Sequence, residues 1–165
     1  ISGVELALNV PFSMLTPNLD GFGVMANVSS TSSNVSLPTS AFSTNDIGKD
    51  KIPLPGLSKN VTNLRLYYEK SGFQIAVAAR KRSDFLGEIS DFQDQRQLTF
   101  IKGETVIDLQ AGYEIQQGPA KGLSVLFQVN NASNAQFQRY SNTPSNIVEK
   151  VRYGKVYLMG ATYKF

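Results

Sequence analysis

The stretch that decides the fold is residues 61–82, which reads VTNLRLYYEKSGFQIAVAARKR. Apolar and polar side chains alternate with period two over Val61–Glu69 and again over Phe73–Arg82. This period is typical of β-strands whose two faces meet different surroundings. Because only Lys70-Ser71-Gly72 separates the two segments, the stretch predicts two antiparallel strands joined by a tight turn.

The same alternation recurs along the chain and predicts seven strands in an all-β fold. Helical spacing is nowhere convincing, although Phe12–Leu15 allows a single helical turn. The predicted strands are Gly3–Val10, Gly21–Ser30, Val61–Glu69, Phe73–Arg82, Glu104–Ile115, Leu123–Asn130 and Lys155–Phe165.

The connections between these strands alternate strictly between short and long. Soluble β-sandwiches have no reason to sort their loops in this way. Outer-membrane barrels do, because short periplasmic turns lie at one rim and long extracellular loops at the other. The short connections are Pro11–Asp20, Lys70–Gly72 and Gln116–Gly122, and the long ones are Thr31–Asn60, Ser83–Gly103 and Asn131–Gly154.

One row of alternating side chains, whose members are named below, contains no charged residue. A Lys or Arg facing lipid near the midplane costs roughly 2–4 kcal/mol, so a lipid-facing row would exclude them. The opposite row is mixed, with polar residues such as Glu5, Arg65 and Asp108 beside small and apolar ones. The uncharged row comprises Val4, Leu6, Leu8, Val10, Phe22, Val24, Ala26, Val28, Thr62, Leu64, Leu66, Tyr68, Phe73, Ile75, Val77, Ala79, Thr105, Ile107, Leu109, Ala111, Tyr113, Ile115, Leu123, Val125, Phe127, Val129, Tyr157, Met159, Ala161, Tyr163 and Phe165.

Aromatic residues of the uncharged row cluster beside the short turns. Such clustering is better explained by an aromatic girdle at the membrane interface, where these rings are enriched, than by the general preference of aromatic residues for strands. The six residues are Phe22, Tyr68, Phe73, Tyr113, Tyr163 and Phe165.

Composition excludes several classes of function. The 165 residues include no His and no Cys, which removes His- or thiolate-dependent catalysis and disulfides. The net charge of +3 is too weak and scattered for nucleic-acid binding, and no metal or other cofactor is expected.

The sequence contains no run of about 18 apolar residues, so it predicts no membrane-spanning helix. Membrane-spanning strands are still compatible with it. The start at Ile1, without a signal peptide, suggests that the sequence begins within a larger protein.

The end of the chain resembles the C-terminal strand of bacterial outer-membrane proteins. Phe165 is preceded at every second position by Tyr163, Ala161, Met159 and Tyr157. The resemblance implies that this strand is the address read by the barrel-insertion machinery.

Motifs along the whole chain resemble the late barrel of TonB-dependent receptors of proteobacteria. Each motif is weak alone, but their order and spacing together are specific. Within that family, the motifs most resemble those of the receptors thought to import oligosaccharides. The motifs are Leu54–Asn60, Leu66–Glu69, Gly72-Phe73, Arg80–Phe85, Val106–Asp108, Gly112–Glu114 and Asn130-Asn131 leading to Phe137 and Tyr140.

This resemblance implies a transmembrane barrel of about 22 strands around a plug, of which the chain supplies seven. Residues 1–165 would then be the C-terminal part of one barrel domain, without the plug, the TonB-contacting segment or the earlier strands. The implied function is not enzymatic. It is import of a scarce oligosaccharide or metal-siderophore across the bacterial outer membrane, in contact with lipid and lipopolysaccharide. A soluble all-β carbohydrate-binding module and a passive porin are the alternatives.

Candidate ligand contacts lie in the long segment Asn131–Gly154. Phe137, Arg139 and Tyr140 combine stacking rings with a hydrogen-bonding cation, although the same rings could pack loops together.

Charged residues elsewhere have more ordinary interpretations. The carboxylates Glu5, Glu69, Asp108 and Glu114 are expected in lumen ion pairs with Arg65, Arg80 or Lys164, not in catalysis. Arg80-Lys81-Arg82 suits either lipopolysaccharide phosphates or a solvated rim.

Overall fold

The computed structural model describes residues 1–36, 51–92 and 95–164. Within these ranges the chain forms eleven β-strands in two sheets and two single-turn 3-10 helices. The helices are Phe12–Met14 and Pro17–Leu19. The strands are β1 Ser2–Pro11, β2 Phe22–Ser32, β3 Asn60–Lys70, β4 Phe73–Arg82, β5 Phe85–Phe92, β6 Gln95–Ile101, β7 Glu104–Glu114, β8 Leu123–Asn130, β9 Gln136–Ser141, β10 Ile147–Arg152 and β11 Val156–Tyr163.

The larger sheet, called the wall sheet, contains seven strands in the order β1-β2-β3-β4-β7-β8-β11. All neighbouring strands are antiparallel. These are the seven strands that the alternation predicts, with ends that agree to within two residues. The all-β prediction is therefore confirmed. Among the described residues no helix is long and apolar enough to cross a membrane.

The pairing register places the uncharged row on one face of the wall sheet, called the uncharged face. Leu66 pairs with Val77, Val77 with Leu109, Leu109 with Val129, and Val129 with Tyr157. Since a slip of one residue would move a strand's whole apolar set to the other face, the continuity of this line fixes the register.

The uncharged face is not packed inside a sandwich. Four of its central residues, Leu64, Ile75, Leu109 and Val125, are 40%, 40%, 38% and 41% exposed. A soluble sandwich would bury such residues between its sheets at roughly 10 Å separation. An apolar sheet face of this size, left uncovered, is what a lipid-facing surface requires.

The three short connections lie along one rim of the wall sheet, called the short-turn rim. At each of them a glycine with positive φ precedes the next strand: Gly21 (91°), Gly72 (81°) and Gly122 (88°). The carbonyl of each glycine accepts a backbone hydrogen bond from the neighbouring strand's end, at Glu69, Glu114 and Lys164 respectively. The predicted turn at Phe12–Leu15 forms here as the first 3-10 helix.

The second sheet, called the rim sheet, corrects the expectation that the long connections are simple loops. Residues 83–103 contain the hairpin β5–β6, and residues 131–154 contain the hairpin β9–β10. The two hairpins join through β6 and β9, at the pairs Thr99–Ser141, Phe100–Tyr140 and Ile101–Arg139. The sheet order is β10-β9-β6-β5.

A small apolar core lies on the rim sheet. Leu86 and Leu98 pack with Ile52, which comes from the long connection between β2 and β3. Val35 and Ile52 bridge each other there, and the Gly56 N–H donates to the Leu86 carbonyl. All three long connections therefore contribute to one packed unit at the end of the wall sheet opposite the short-turn rim.

Candidate ligand-binding surface

The polar face of the wall sheet, opposite the uncharged face, is held by side-chain pairs between adjacent strands. Cross-strand neighbours on one face lie close enough to interact directly. The predicted pairing of lumen carboxylates with arginines is confirmed for Asp108 and Arg80, whose nearest atoms are 3.8 Å apart. The other pairs are Asn27 to Glu5 (2.6 Å), Gln74 to Glu69 (3.4 Å), Arg82 to Glu104 (2.8 Å) and Gln128 to Gln110 (3.2 Å).

The basic run Arg80-Lys81-Arg82 divides between the two faces of β4. Arg80 and Arg82 form ion pairs with Asp108 and Glu104 on β7, and Arg82 also lies over the Phe85 ring at 4.9 Å. Lys81 lies on the uncharged face, at the end of it opposite the short-turn rim, in register with Thr62 and Thr105. Two of the three cations are thus engaged within the protein.

The three predicted ligand contacts all lie on β9, but the strand separates them. Side chains alternate between faces along a strand, so Phe137 and Arg139 share one face and Tyr140 lies on the other. Arg139 donates from Nη1 to Glu149 (3.2 Å) and from Nη2 to Glu88 (3.1 Å). It therefore connects β9 both to β10 and to β5.

Tyr140 is buried, with 6% of its surface exposed. Its ring stacks on Phe100 at a centroid distance of 5.3 Å and an interplanar angle of 11°. Its hydroxyl donates to Asp84 Oδ2 at 2.8 Å. Burial, the hydrogen bond to Asp84 and the charge of Asp84, in decreasing order, together raise the pKa of Tyr140 to about 12.

Sequence reasoning missed the partners that hold the rim sheet together. Asp84 accepts from Tyr140 and from the Gly103 N–H (2.8 Å), while Glu88 and Glu149 bind the same guanidinium. Arg139 and Glu88 are 51 residues apart in sequence, so no local pattern links them. Within the described residues there is no group of three or more His, Cys, Asp or Glu side chains suited to a metal ion.

Four of the six residues in the predicted aromatic cluster form a continuous line at the short-turn rim. Phe22 contacts Tyr68 at 4.5 Å between ring centroids, Tyr68 contacts Phe73 at 6.2 Å, and Phe73 contacts Tyr113 at 6.4 Å. These distances suit tilted ring pairs, which add to the stability of the cross-strand contacts.

The terminal pattern lies on β11, at the edge of the wall sheet. Tyr157, Met159, Ala161 and Tyr163 are exposed on the uncharged face and pair with alternate residues of β8. Phe165 lies outside the described residues.

Comparison with known protein families gives a match over most of the chain. Residues 1–132 of the 165 match the family model described as TonB dependent receptor-like, beta-barrel. No curated protein and no solved structure matches the chain.

Proposed function

Because the chain belongs to the TonB-dependent receptor-like β-barrel family, we propose that it forms part of an outer-membrane receptor importing a scarce ligand into the periplasm. The family is one of outer-membrane receptors and transporters, not of enzymes. The import would be driven by energy passed through the TonB complex. The observation that carries the proposal is the uncharged face, in register across seven strands and left uncovered.

We assign the other parts of the proposed receptor, namely further strands, the plug and the TonB-contacting segment, to sequence outside this chain. A lipid-facing wall cannot end at open strand edges, since each unpaired polar backbone group in hydrocarbon costs several kcal/mol. We assign further strands to the outer edges of β1 and β11, giving a barrel of about 22 strands around a plug. The plug and the TonB-contacting segment would precede this segment of the chain, and the barrel-insertion machinery would read β11.

The topology also supports one orientation of the wall sheet. With the short-turn rim in the periplasm, the rim sheet lies on the extracellular side, where long loops receive ligand. The aromatic line would then lie at the periplasmic interface of the membrane, and Lys81 at the level of the lipopolysaccharide phosphates.

The test of this function is uptake by cells that carry the full-length receptor. Candidate oligosaccharides are offered as sole carbon source, and ferric siderophores are offered under iron limitation, with and without functional TonB. The proposal expects uptake of at least one compound to require both the receptor and TonB. Uptake that persists without TonB would identify a porin, and a protein washed from membranes by high salt would identify a soluble module.

Phe137, Arg139 and Tyr140 stay our proposed ligand contacts on the rim sheet. Arg139 and Tyr140 also hold the sheet together, so changing them would confuse binding with folding. Phe137→Ala is the cleaner test, with Val151→Ala at its cross-strand partner as control. We expect Phe137→Ala to weaken ligand binding by about 1–3 kcal/mol at normal abundance. An unchanged dissociation constant, or an equal loss in Val151→Ala, would assign Phe137 to packing.

A further inference from the structure

The rim sheet carries its charges unevenly between its two faces. Among the carboxylates that the structure describes there, Glu88 and Glu149 bind Arg139, and both oxygens of Asp84, just before β5, accept hydrogen bonds. In contrast, among the described residues no carboxylate forms an ion pair with Lys102, Lys150 or Arg152. This part of the sheet therefore carries more positive than negative charge among its described side chains.

Lys102, Lys150 and Arg152 lie on one face around two glutamines. The Lys102 N–H donates to the Gln138 carbonyl at 2.9 Å, which places Lys102 opposite Gln138 across the β6–β9 junction. Gln138 pairs with Lys150, and Gln136 pairs with Arg152. Since residues directly opposite each other in a sheet point to the same face, Lys102, just after β6, forms one row with Gln138 on β9 and Lys150 on β10.

The dimensions of this row suit an extended ligand. Adjacent strands lie about 4.8 Å apart, so the backbones that carry Lys102 and Lys150 are roughly 10 Å apart. The cations are exposed, and Gln136 and Gln138 between them are half-buried amides that can both donate and accept hydrogen bonds. Tyr153, directly after Arg152, is 72% exposed and offers a ring beside the row.

We propose that Lys102, Lys150 and Arg152 form a binding site for an anionic ligand that carries at least two carboxylate or sulfate groups. The site rests on the proposed receptor function and narrows its ligand class. The amides between the cations suit the hydroxyls of an acidic oligosaccharide. Glu104 and Glu149 are the nearest carboxylates along the chain, and each is engaged, Glu104 by Arg82 and Glu149 by Arg139.

The test measures binding to the purified full-length receptor in detergent micelles by calorimetry. The probes are tetragalacturonate, its neutral methyl ester and ferric citrate, a polycarboxylate chelate. The proposal expects at least one acidic probe to bind at least about tenfold more tightly than the ester, a difference of 1.4 kcal/mol. This preference should shrink as salt is added, because exposed charges are screened. Which acidic probe binds distinguishes a sugar acid from a metal chelate.

The matched variants are Lys102→Gln with Lys150→Gln, and Lys121→Gln with Lys164→Gln at the short-turn rim. Both remove two positive charges from exposed lysines, so neither should disturb folding, which circular dichroism verifies. The first variant should lose most of the preference for the acidic probe, while the second keeps it. Equal binding of acid and ester, no binding of either acidic probe, or the same preference in both variants would overturn the proposal. These binding results do not depend on TonB, so they fail or succeed separately from the uptake test.

Discussion

Gly72 shows how one residue shapes the short-turn rim. Its φ of 81° is strained for any residue with a Cβ, and a Cβ there would also collide with the carbonyl oxygen of Glu114. Gly118 has nearly the same φ, 82°, but nothing lies within 4 Å of the position where its Cβ would be. Comparing substitutions at the two glycines therefore separates the cost of backbone strain from the cost of a close contact with a neighbouring strand.

We predict that Gly72→Ala destabilises the folded barrel more than Gly118→Ala. The control should lose roughly 1–2 kcal/mol from the left-handed conformation alone. Gly72→Ala should lose a further amount of about 1–3 kcal/mol, as overpacking usually does. Urea unfolding of the full-length protein in lipid vesicles, followed by circular dichroism, measures both losses. Equal losses would show that the contact with Glu114 relaxes without cost.

Tyr140 gives the rim sheet a defined response to pH. Its pKa is about 12 in the folded protein, against about 10 in an unfolded chain, so the fold favours the neutral phenol. The resulting stabilisation is complete below about pH 10 and is lost as the pH rises toward 12. We predict that the near-ultraviolet absorbance of the phenolate, taken as wild type minus Tyr140→Phe, has its midpoint near 12. A midpoint near 10 would contradict the buried hydrogen bond to Asp84.

At the scale of elements, the wall strands were predictable because their alternation is uninterrupted. Between β1 and β2, for example, ten residue pairs run from Ser2–Ser32 to Pro11–Gly23 without a register shift. The uncharged row could thus be read from the sequence of each strand alone, with no knowledge of its partner.

The rim-sheet strands were missed for a physical reason. Each hairpin contains a bulge or irregularity, between Leu86 and Glu88 in β5 and between Ile147 and Glu149 in β10. An inserted residue shifts the side chains that follow to the other face, so the period of two is broken. The β6–β9 junction is also held by few pairs between segments about 40 residues apart, which leave no local pattern.

The same long-range pairing limited the prediction of the candidate site. Sequence reasoning selected Arg139 and Tyr140 for their chemistry, yet their partners Glu88, on β5, and Asp84, just before β5, come from another part of the chain. Lys102, Lys150 and Arg152 gave no signal, because the row exists only once β6, β9 and β10 are paired.

The terminal strand carries a prediction of its own. Tyr163→Asp on β11, or deletion of Phe165, should lower the amount of full-length receptor assembled in the outer membrane, because each breaks the alternating apolar pattern. Thr162→Asp is the matched control, since Thr162 pairs with Ser124 on the polar face. Quantitative blotting of outer-membrane fractions measures the effect. Normal levels of all three variants would contradict the role of this strand as an assembly signal.

At the scale of the whole molecule, the two sheets present surfaces of different chemistry. The wall sheet leaves its apolar face uncovered and so needs lipid, while the rim sheet buries a small apolar core and presents charge. The chain contains no cysteine, so single cysteines can report on each face separately.

The last prediction uses adjacent residues on the two faces of β4. Val77 lies on the uncharged face, and Ala78, opposite Arg65 and Asp108, lies on the polar face. In the full-length receptor inserted in membranes, a water-soluble maleimide should label Ala78→Cys faster than Val77→Cys, because a thiolate forms in water but not in lipid. A lipid-soluble carbene reagent attached to acyl chains should show the reverse order. Rates normalised to the urea-unfolded protein remove differences in intrinsic reactivity. If Val77→Cys is the more accessible to the water-soluble reagent, the uncharged face does not meet lipid and the barrel interpretation fails.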